Sequence, residues 1–320
     1  MYSEPLERII TDFGAETSFN KISARLFEHH GISVPASSAR NITRKHAQKI
    51  FEQQQIQKTD SHKIAVKRII AMTDGAFIPL VDVEENMDTS TDLRRTRSTR
   101  WAEAKLTLAH QEGSVTPVFE ATMGDVDDAG KKIKQCVSRV GLDEKTQIHF
   151  LGDGAPWIAE QVDRQFGTQA NYLIDFFHLS QYLNEAASCC SPHNPSKWFH
   201  EQQLNMKENK LELVLHELLK HSEANNCTLE TGCLAEKCYN YMIKRTDKFN
   251  YKAAIDADLP IGSGEIESAH KYVVQKRLKL PGAWWKLKNA AAMIALRVMR
   301  ANGEWKEYWN PSPNFAFGGA

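Results

Sequence analysis

The spacing of apolar residues changes between helical and strand-like along this chain, and the order of these changes limits the folds that it can form. In the first sixty residues, apolar positions such as Ile22, Leu26 and Phe27 recur at helical spacing. Short strand-like runs then alternate with helical segments up to residue 178, and the pattern is helical throughout from 179 to 248. This order predicts an α/β fold with a mixed sheet flanked by helices and an all-helical insertion.

Five strand-like runs are expected in the middle of the chain. The run KRIIAMTDGAFIPLVDV is apolar on both sides of Asp74-Gly75, a pair typical of turns, and therefore predicts a hairpin of two strands. WAEAKLTLAH predicts a third strand, TQIHFLGDGAPW a fourth that ends at Asp153, and ANYLIDFFH a fifth that leads into a helix at about His178. Helical spacing over 125–140 and 155–166 completes the order strand, strand, strand, helix, strand, helix, strand.

Two helices with a short turn between them are expected in the N-terminal segment. The first ends at Gly31, and the second carries Arg40, Arg44 and Lys45 on its exposed side. A helical hairpin with a basic second helix is typical of helix-turn-helix DNA-binding segments, although any helical hairpin gives a similar pattern.

The charges are unevenly distributed although they sum to zero. The stretch 268–300 contains eight Lys or Arg and no Asp or Glu, and TDLRRTRSTR contains Arg94, Arg95, Arg97 and Arg100. Basic surface beside acidic site residues is typical of a protein that binds a polyanion through metal ions. Either cluster alone would also fit an ordinary solvated face.

The sequence predicts a cytoplasmic protein. No apolar run approaches the ~20 residues needed to cross a bilayer, and MYSEPLERII lacks the basic and apolar blocks of a signal peptide. The six cysteines form no regular disulfide framework. Cys227, Cys233 and Cys238 do not have the spacing of a zinc site, so ordinary buried thiols are expected.

Asp74 and Asp153 occur in the same local context, because each follows an apolar run and precedes a glycine (MTDG and LGDG). If both strands end at one edge of the sheet, both carboxylates lie there and offer the hard oxygen ligands that Mg2+ or Mn2+ prefers. Asp-Gly is also a common turn signal. Two such pairs after two buried-looking strands favour the metal site.

A third carboxylate is needed for two divalent ions about 4 Å apart, which require a shared ligand and one further ligand each. The stretch IGSGEIESAH offers Glu265 and Glu267 at the start of a predicted helix. Helix positions two residues apart point about 200° away from each other, so only one of the two can face the aspartates. Geometry alone does not choose between them.

Four blocks of the sequence resemble a known family. MTDGAFIP, LGDGAPWI, IDFFH and LPIGSGEIESAHKYVVQKRLKLPGAWWKLKNAAAMIALR are similar to the core blocks of bacterial insertion-sequence transposases with a DDE triad, of the ISKra type and the related Mutator-like enzymes. The resemblance covers about residues 17–309. It implies a ribonuclease-H-like catalytic core at 61–178 and 258–309, an all-helical insertion at 179–257, a helix-turn-helix-like DNA-binding segment at 1–60, and a nucleoid-associated location.

The resemblance also implies a catalytic triad and a reaction. In the family the last acidic residue lies three residues after a glycine, which assigns that role to Glu267 and leaves Glu265 as the alternative. Asp74, Asp153 and Glu267 would then bind two Mg2+ (or Mn2+) ions and catalyse DNA strand cleavage and strand transfer at insertion-sequence ends. One ion would activate water and later a 3′-hydroxyl, while the other would stabilise the leaving oxygen.

Several residues are expected to contact DNA. The basic helices and the D-x-x-H element of the family supply the set Arg40, Arg44, Lys45, His178, Lys271, Lys276 and Arg277. In an alternative interpretation of the D-x-x-H element, Asp175 caps a helix and His178 packs beneath the sheet. Trp285 could stack on an unpaired base, although a core position is favoured.

The resemblance further implies a homodimer or higher oligomer on DNA, since strand joining brings two element ends together. Two other functions fit the same residues. One is a ribonuclease-H-like nuclease or resolvase that cuts without joining, and the other is a catalytically inactive DNA-binding derivative.

Overall fold

The computed structural model describes residues 2–56, 64–83, 97–224 and 233–310. The chain forms two compact units. Unit 1 comprises Met1–Val66, Thr73–Asp143 and Glu265–Ala320, and unit 2 comprises Lys67–Met72 and Glu144–Gly264. Arg94, Arg95 and Cys227, which the sequence analysis singled out, lie outside the described residues.

A five-stranded mixed sheet forms the β part of the fold. Its strands are β1 (Arg68–Val83), β2 (Arg97–Gln111), β3 (Val118–Thr122), β4 (Gln147–Gly152) and β5 (Ala170–Ile174). The strand order is β3-β2-β1-β4-β5. β1 pairs in parallel with β4 and β4 with β5, whereas β2 and β3 are antiparallel. The predicted fold class is confirmed, and this topology agrees with the ribonuclease-H-like core that the resemblance implies.

The helices follow the predicted distribution along the chain. In chain order they are α1 (Glu4–Glu16), α2 (Phe19–His30), α3 (Ala36–Ile56), α4 (Val126–Gly141), α5 (Pro156–Phe166), α6 (Phe176–Cys190), α7 (Pro195–Lys207), α8 (Leu211–Ala224), α9 (Leu234–Ile243), α10 (Tyr251–Asp256), α11 (Gly264–Ala269), α12 (Lys276–Leu278), α13 (Leu287–Ala301) and α14 (Trp305–Trp309). A π-helical turn, His270–Gln275, connects α11 to α12.

The predicted hairpin at Asp74-Gly75 is wrong, because β1 is one continuous strand through both residues. Gly75 has no positive φ, the conformation that tight hairpin turns require. A Cβ atom at Gly75 would lie 2.0 Å from Oε1 of Glu103 on β2, so a larger residue there would displace the Glu103 side chain. The third strand of the sheet is instead β3, which the sequence analysis did not predict.

The N-terminal helices of unit 1 enclose an apolar core formed by Ile10, Ile22, Leu26, Val34, Ala39 and Ile42. Phe27, which shares the predicted apolar pattern, is 65% exposed and therefore lies outside this core. α2 ends at Gly31, whose φ of 64° is the left-handed conformation that favours glycine at a helix end.

Buried arginines connect the N-terminal helices to the C-terminal helices within unit 1. The Nε atom of Arg277 donates to the carbonyl oxygen of Gly14 at 2.8 Å, and Nη1 of Arg297 donates to that of Ala15 at 3.1 Å. Arg297 also forms an ion pair with Glu16. The C-terminal carbonyl groups of α1, which lack partners inside the helix, are satisfied in this way.

Unit 2 contains the helical insertion. From 176 to 256 the described residues form helices α6 to α10 and no strand, as the sequence predicts. The helices of the described part of the chain include none that is both long and apolar enough to span a membrane.

Candidate active site

Asp153 lies directly after β4 in unit 2, at the start of the loop that opens α5. Its Oδ1 atom accepts a hydrogen bond of 2.8 Å from the backbone NH of Ala155. The next residue, Gly154, has a φ of 87°, which other residues rarely adopt. A Cβ atom there would lie 2.3 Å from the hydroxyl oxygen of Tyr241. The glycine of LGDG therefore permits both the backbone conformation and the close approach of Tyr241.

Three side chains hold the loop that carries Asp153. The Tyr241 hydroxyl donates to the carbonyl oxygen of Asp153 at 2.9 Å, and Nε of Arg245 donates to that of Gly154 at 2.9 Å. The Tyr172 hydroxyl accepts from the NH of Gly154 at 3.1 Å. Burial raises the pKa of Tyr241, so its hydroxyl stays protonated and keeps donating. None of these three residues could be predicted from the sequence, because neither spacing nor composition marks them.

Asp175 has a structural role at the start of α6. Its Oδ1 atom accepts a hydrogen bond of 2.8 Å from the NH of His178, which is an N-cap interaction. Its Oδ2 atom accepts from both the NH and the hydroxyl of Ser263, in the segment before α11. The capping interpretation of Asp175 is confirmed. The imidazole of His178 packs edge-to-face against Tyr182 and Tyr241, and its contact with DNA stays a prediction.

Asp74 lies within β1 in unit 1, and His270 contacts it. Nε2 of His270 is 2.9 Å from the carbonyl oxygen of Asp74 and 3.9 Å from its Oδ2 atom. Since a carbonyl oxygen only accepts, Nε2 carries the proton. Burial lowers the pKa of His270, which favours the neutral imidazole. The Asp74 side chain remains 32% exposed.

Glu265 and Glu267 flank opposite sides of the buried face of α11, which contains Ile266 and Ala269. Oε2 of Glu265 lies 3.2 Å from Nε2 of His110 on β2, without hydrogen-bond geometry. Glu267 is exposed and lies three residues before His270, close to one helical turn.

Each aspartate follows a paired strand residue in the sequence. Met72 pairs with Leu151, and Asp74 and Asp153 follow these partners by two residues each. In the described part of the chain, however, no three His, Cys, Asp or Glu side chains form a group that could hold a metal ion. The carboxylates thus provide the donor chemistry for Mg2+ or Mn2+ but not a closed ligand set.

A comparison with protein families matches residues 15–309 to a model described as an uncharacterised protein family, UPF0236. This chain belongs to the UPF0236 family. The matched range includes Asp74, Asp153 and both glutamates of α11. A comparison with curated proteins finds no match.

The predicted DNA contacts of this UPF0236 chain differ in exposure. Arg40 and Lys271 are exposed, and Arg44 is half-buried. Lys45 is exposed but forms an ion pair of 2.9 Å with Glu7. Their contact with DNA stays a prediction.

Lys276 and Arg277 both interact within unit 1 of the UPF0236 chain. Lys276 is exposed and forms an ion pair of 2.6 Å with Glu16. Arg277 is only 2% exposed, and its guanidinium lies 4.7 Å from the ring of Phe19 and 4.8 Å from that of Trp285. Burial lowers its pKa to about 10. A guanidinium enclosed in this way cannot reach a phosphate, so Arg277 is left out of the proposed contacts, and the core position of Trp285 is confirmed.

Proposed function

We propose that this UPF0236 chain is a DDE transposase that cleaves DNA strands and joins them at insertion-sequence ends, using Mg2+ or Mn2+. The local context of the two aspartates carries the proposal. Asp74 and Asp153, the two aspartates of the triad that the resemblance implies, each follow a paired strand residue, Met72 or Leu151, by two positions in the sequence. Carboxylates are the hard oxygen ligands that Mg2+ and Mn2+ prefer.

The surroundings of Asp74 support Glu267 as the third acid. The contact between His270 and Asp74 connects β1 to the segment that follows α11. Glu267 precedes His270 by three residues, close to one helical turn, and is exposed. We therefore assign Asp74, Asp153 and Glu267 as the catalytic and metal-binding residues.

The proposed reaction is phosphoryl transfer at a DNA strand. Bound divalent ions would stabilise the charge that develops on the transferred phosphate. The chain's own contribution is to hold the carboxylates in place, through Tyr241 and Arg245 at the Asp153 loop and through His270 at Asp74. Arg40, Arg44 and Lys271 form no ion pair with other described residues, so their charges suit DNA phosphates.

The proposal is tested with a supercoiled plasmid that carries the coding sequence and its native flanking DNA. We expect nicking and strand-transfer products that depend on Mg2+ or Mn2+. Asp153→Asn removes one negative ligand and should reduce product by more than the ~10–100-fold that loss of an outer-shell partner costs. The matched control is Asp163→Asn, the same change at an exposed position of α5, and it should keep wild-type activity.

Three other results of the plasmid test would each contradict the proposal. Metal-dependent cleavage without strand transfer would contradict transposition and assign the chain to the nucleases that cut without joining. DNA binding without metal-dependent cleavage would identify an inactive derivative. Equal activity of Asp153→Asn and Asp163→Asn would show that the carboxylate of Asp153 takes no part.

A further inference from the structure

A cationic groove in unit 1 runs along one flank of α3. It has a volume of about 650 Å3, and its charged and aromatic lining is Arg40, Arg44, Arg97, Lys286 and Trp284. No acidic side chain is among the described residues that line it. A second groove of about 350 Å3, which includes Lys288, shares Arg44 and Asn289 with the first, so the basic surface continues beyond it.

The cations of this groove lack acidic partners within the described part of the chain, unlike two cations close to them in sequence. Among the described residues, none of the groove's four Arg and Lys side chains forms an ion pair. Arg100, three residues from Arg97 on β2, is paired with Asp82 at 2.7 Å, and Lys45 is paired with Glu7. Uncompensated cations in one groove raise the local concentration of anions and indicate an anionic ligand.

Arg44 is the cation held most deeply in this groove. Its Nε atom is buried and has no hydrogen-bond partner within the described part of the chain. Burial and the neighbouring charge of Arg40 lower its pKa, which means that the protein surroundings disfavour the charged form. Because Arg40 and Arg44 are one helical turn apart, they present two guanidinium groups side by side. An anion between them would relieve both the repulsion and the missing hydrogen bond.

Trp284 gives the groove an aromatic face. Its side chain is 47% exposed, whereas the adjacent Trp285 is 5% exposed and packs in the core. A basic groove with an exposed aromatic ring is the arrangement that binds single-stranded nucleic acids, because the cations contact the phosphates and the bases stack on the ring. Duplex DNA offers a free base face only at its ends, so the exposed indole favours an unpaired strand.

We propose that this groove binds an unpaired DNA strand, with Arg40, Arg44, Arg97 and Lys286 on its phosphates and Trp284 stacked on a base. The inference rests on the proposed function for the choice of DNA among polyanions. The proposed binding residues are different from the three carboxylates of the proposed active site and lie apart from them in the sequence. Arg97, Lys286 and Trp284 are new to the set of DNA contacts.

The test measures binding of a fluorescein-labelled oligothymidine of about 20 nucleotides by anisotropy, in EDTA and at several salt concentrations. Arg97→Gln should make the slope of log affinity against log salt shallower by about 0.7, the value for one phosphate contact on a single strand. Arg100→Gln is the matched control, because it removes an equal charge from the same strand at a position outside the groove, and it should leave the slope unchanged.

A second pair of variants tests the aromatic contact. Trp284→Leu should weaken binding about 5- to 150-fold without changing the salt slope, because a base loses its stacking partner while the phosphate contacts remain. Trp284→Phe keeps an aromatic face and should retain most of the affinity. The thermal midpoint of each variant is measured first, and Lys286→Gln replaces Arg97→Gln if the latter does not fold.

Three results would overturn the inference: equal salt slopes for Arg97→Gln and Arg100→Gln, wild-type affinity of Trp284→Leu, or tighter binding of oligouridine or duplex DNA than of oligothymidine. The binding assay in EDTA is repeated with the Asp153→Asn variant, so that the measured affinity does not depend on DNA cleavage. Groove binding without any cleavage activity would contradict the proposed function alone. Cleavage activity with unaffected binding in both groove variants would contradict the groove alone.

Discussion

Glu265 and Glu267 differ in their surroundings although only one residue separates them on α11. Glu265 lies 3.2 Å from His110, and Glu267 lies three residues before His270, which contacts Asp74. We predict that Glu267→Gln reduces metal-dependent DNA cleavage by more than ~100-fold, since a neutral amide binds Mg2+ far more weakly than a carboxylate. Initial rates of plasmid nicking in Mn2+ measure the effect.

Glu265→Gln is the matched control for this prediction, as it makes the same chemical change two residues away. It should change the nicking rate by less than about 10-fold, because its neighbour is a histidine of the sheet. If Glu265→Gln lowered the nicking rate more than Glu267→Gln, the third acid would be Glu265. That result would also contradict the assignment that the resemblance implies.

Sequence analysis located the acidic residues but not the environment of each basic residue. Asp153 at the end of a strand and Asp175 at the start of a helix follow from local patterns, because strand ends and helix caps are local features. Arg277 could not be assigned in this way. Its Nε atom donates to a carbonyl group of α1 more than two hundred positions away, and no local pattern signals such a contact.

At the level of elements, the predicted order of strands and helices is right although two strands were assigned incorrectly. The pair Asp74-Gly75 was interpreted as a turn, whereas it lies inside one strand with the Glu103 side chain next to the glycine. Five-residue β3 was missed because VFEAT is short and only partly apolar. One strand too many was predicted within β1 and β3 was not predicted, so the number of strands still came out as five. A correct element order therefore does not by itself establish where each strand lies.

α9 of the helical insertion stabilises the loop after β4, through the hydrogen bond from the Tyr241 hydroxyl to the carbonyl oxygen of Asp153. We predict that Tyr241→Phe lowers the free energy of unfolding by about 1–2 kcal/mol, because the variant leaves that carbonyl without this donor. It should also lower the cleavage rate by loosening the Asp153 loop. Urea unfolding and plasmid nicking measure the two effects.

Tyr239→Phe serves as the control on the same helix, since no hydrogen bond of the Tyr239 hydroxyl to another described residue is found. Its free energy of unfolding should stay within about 0.5 kcal/mol of the wild type. If Tyr241→Phe lost stability without any change in cleavage, α9 would support the fold of unit 2 but not the position of Asp153.

At the scale of the whole molecule, the two ends of the chain belong to one compact unit. Unit 1 combines Met1–Val66 with Glu265–Ala320, and Glu16 of α1 is a point of connection between them. Its carboxylate forms ion pairs with Lys276 and with the buried Arg297. A separate N-terminal domain at 1–60 remains a prediction. No local pattern in the sequence indicates these contacts, because their partners lie far apart in the chain.

The ion pairs of Glu16 predict a pH dependence of stability. Burial raises the pKa of Glu16, but the hydrogen bonds and charges of Lys276 and Arg297 outweigh this effect and hold the pKa below its ordinary value of 4.5. A group whose pKa is lowered by folding stabilises the fold above its unfolded pKa, and this contribution is lost as pH falls through the folded pKa. We therefore predict that Glu16→Gln costs about 2 kcal/mol at pH 7, somewhat less than loss of a fully buried pair, and clearly less at about pH 3. Hydrogen exchange in α1 and α13 measures the difference, with exposed Glu4→Gln as the control. An equal loss at both pH values would mean that Glu16 contributes by packing and not through its charge.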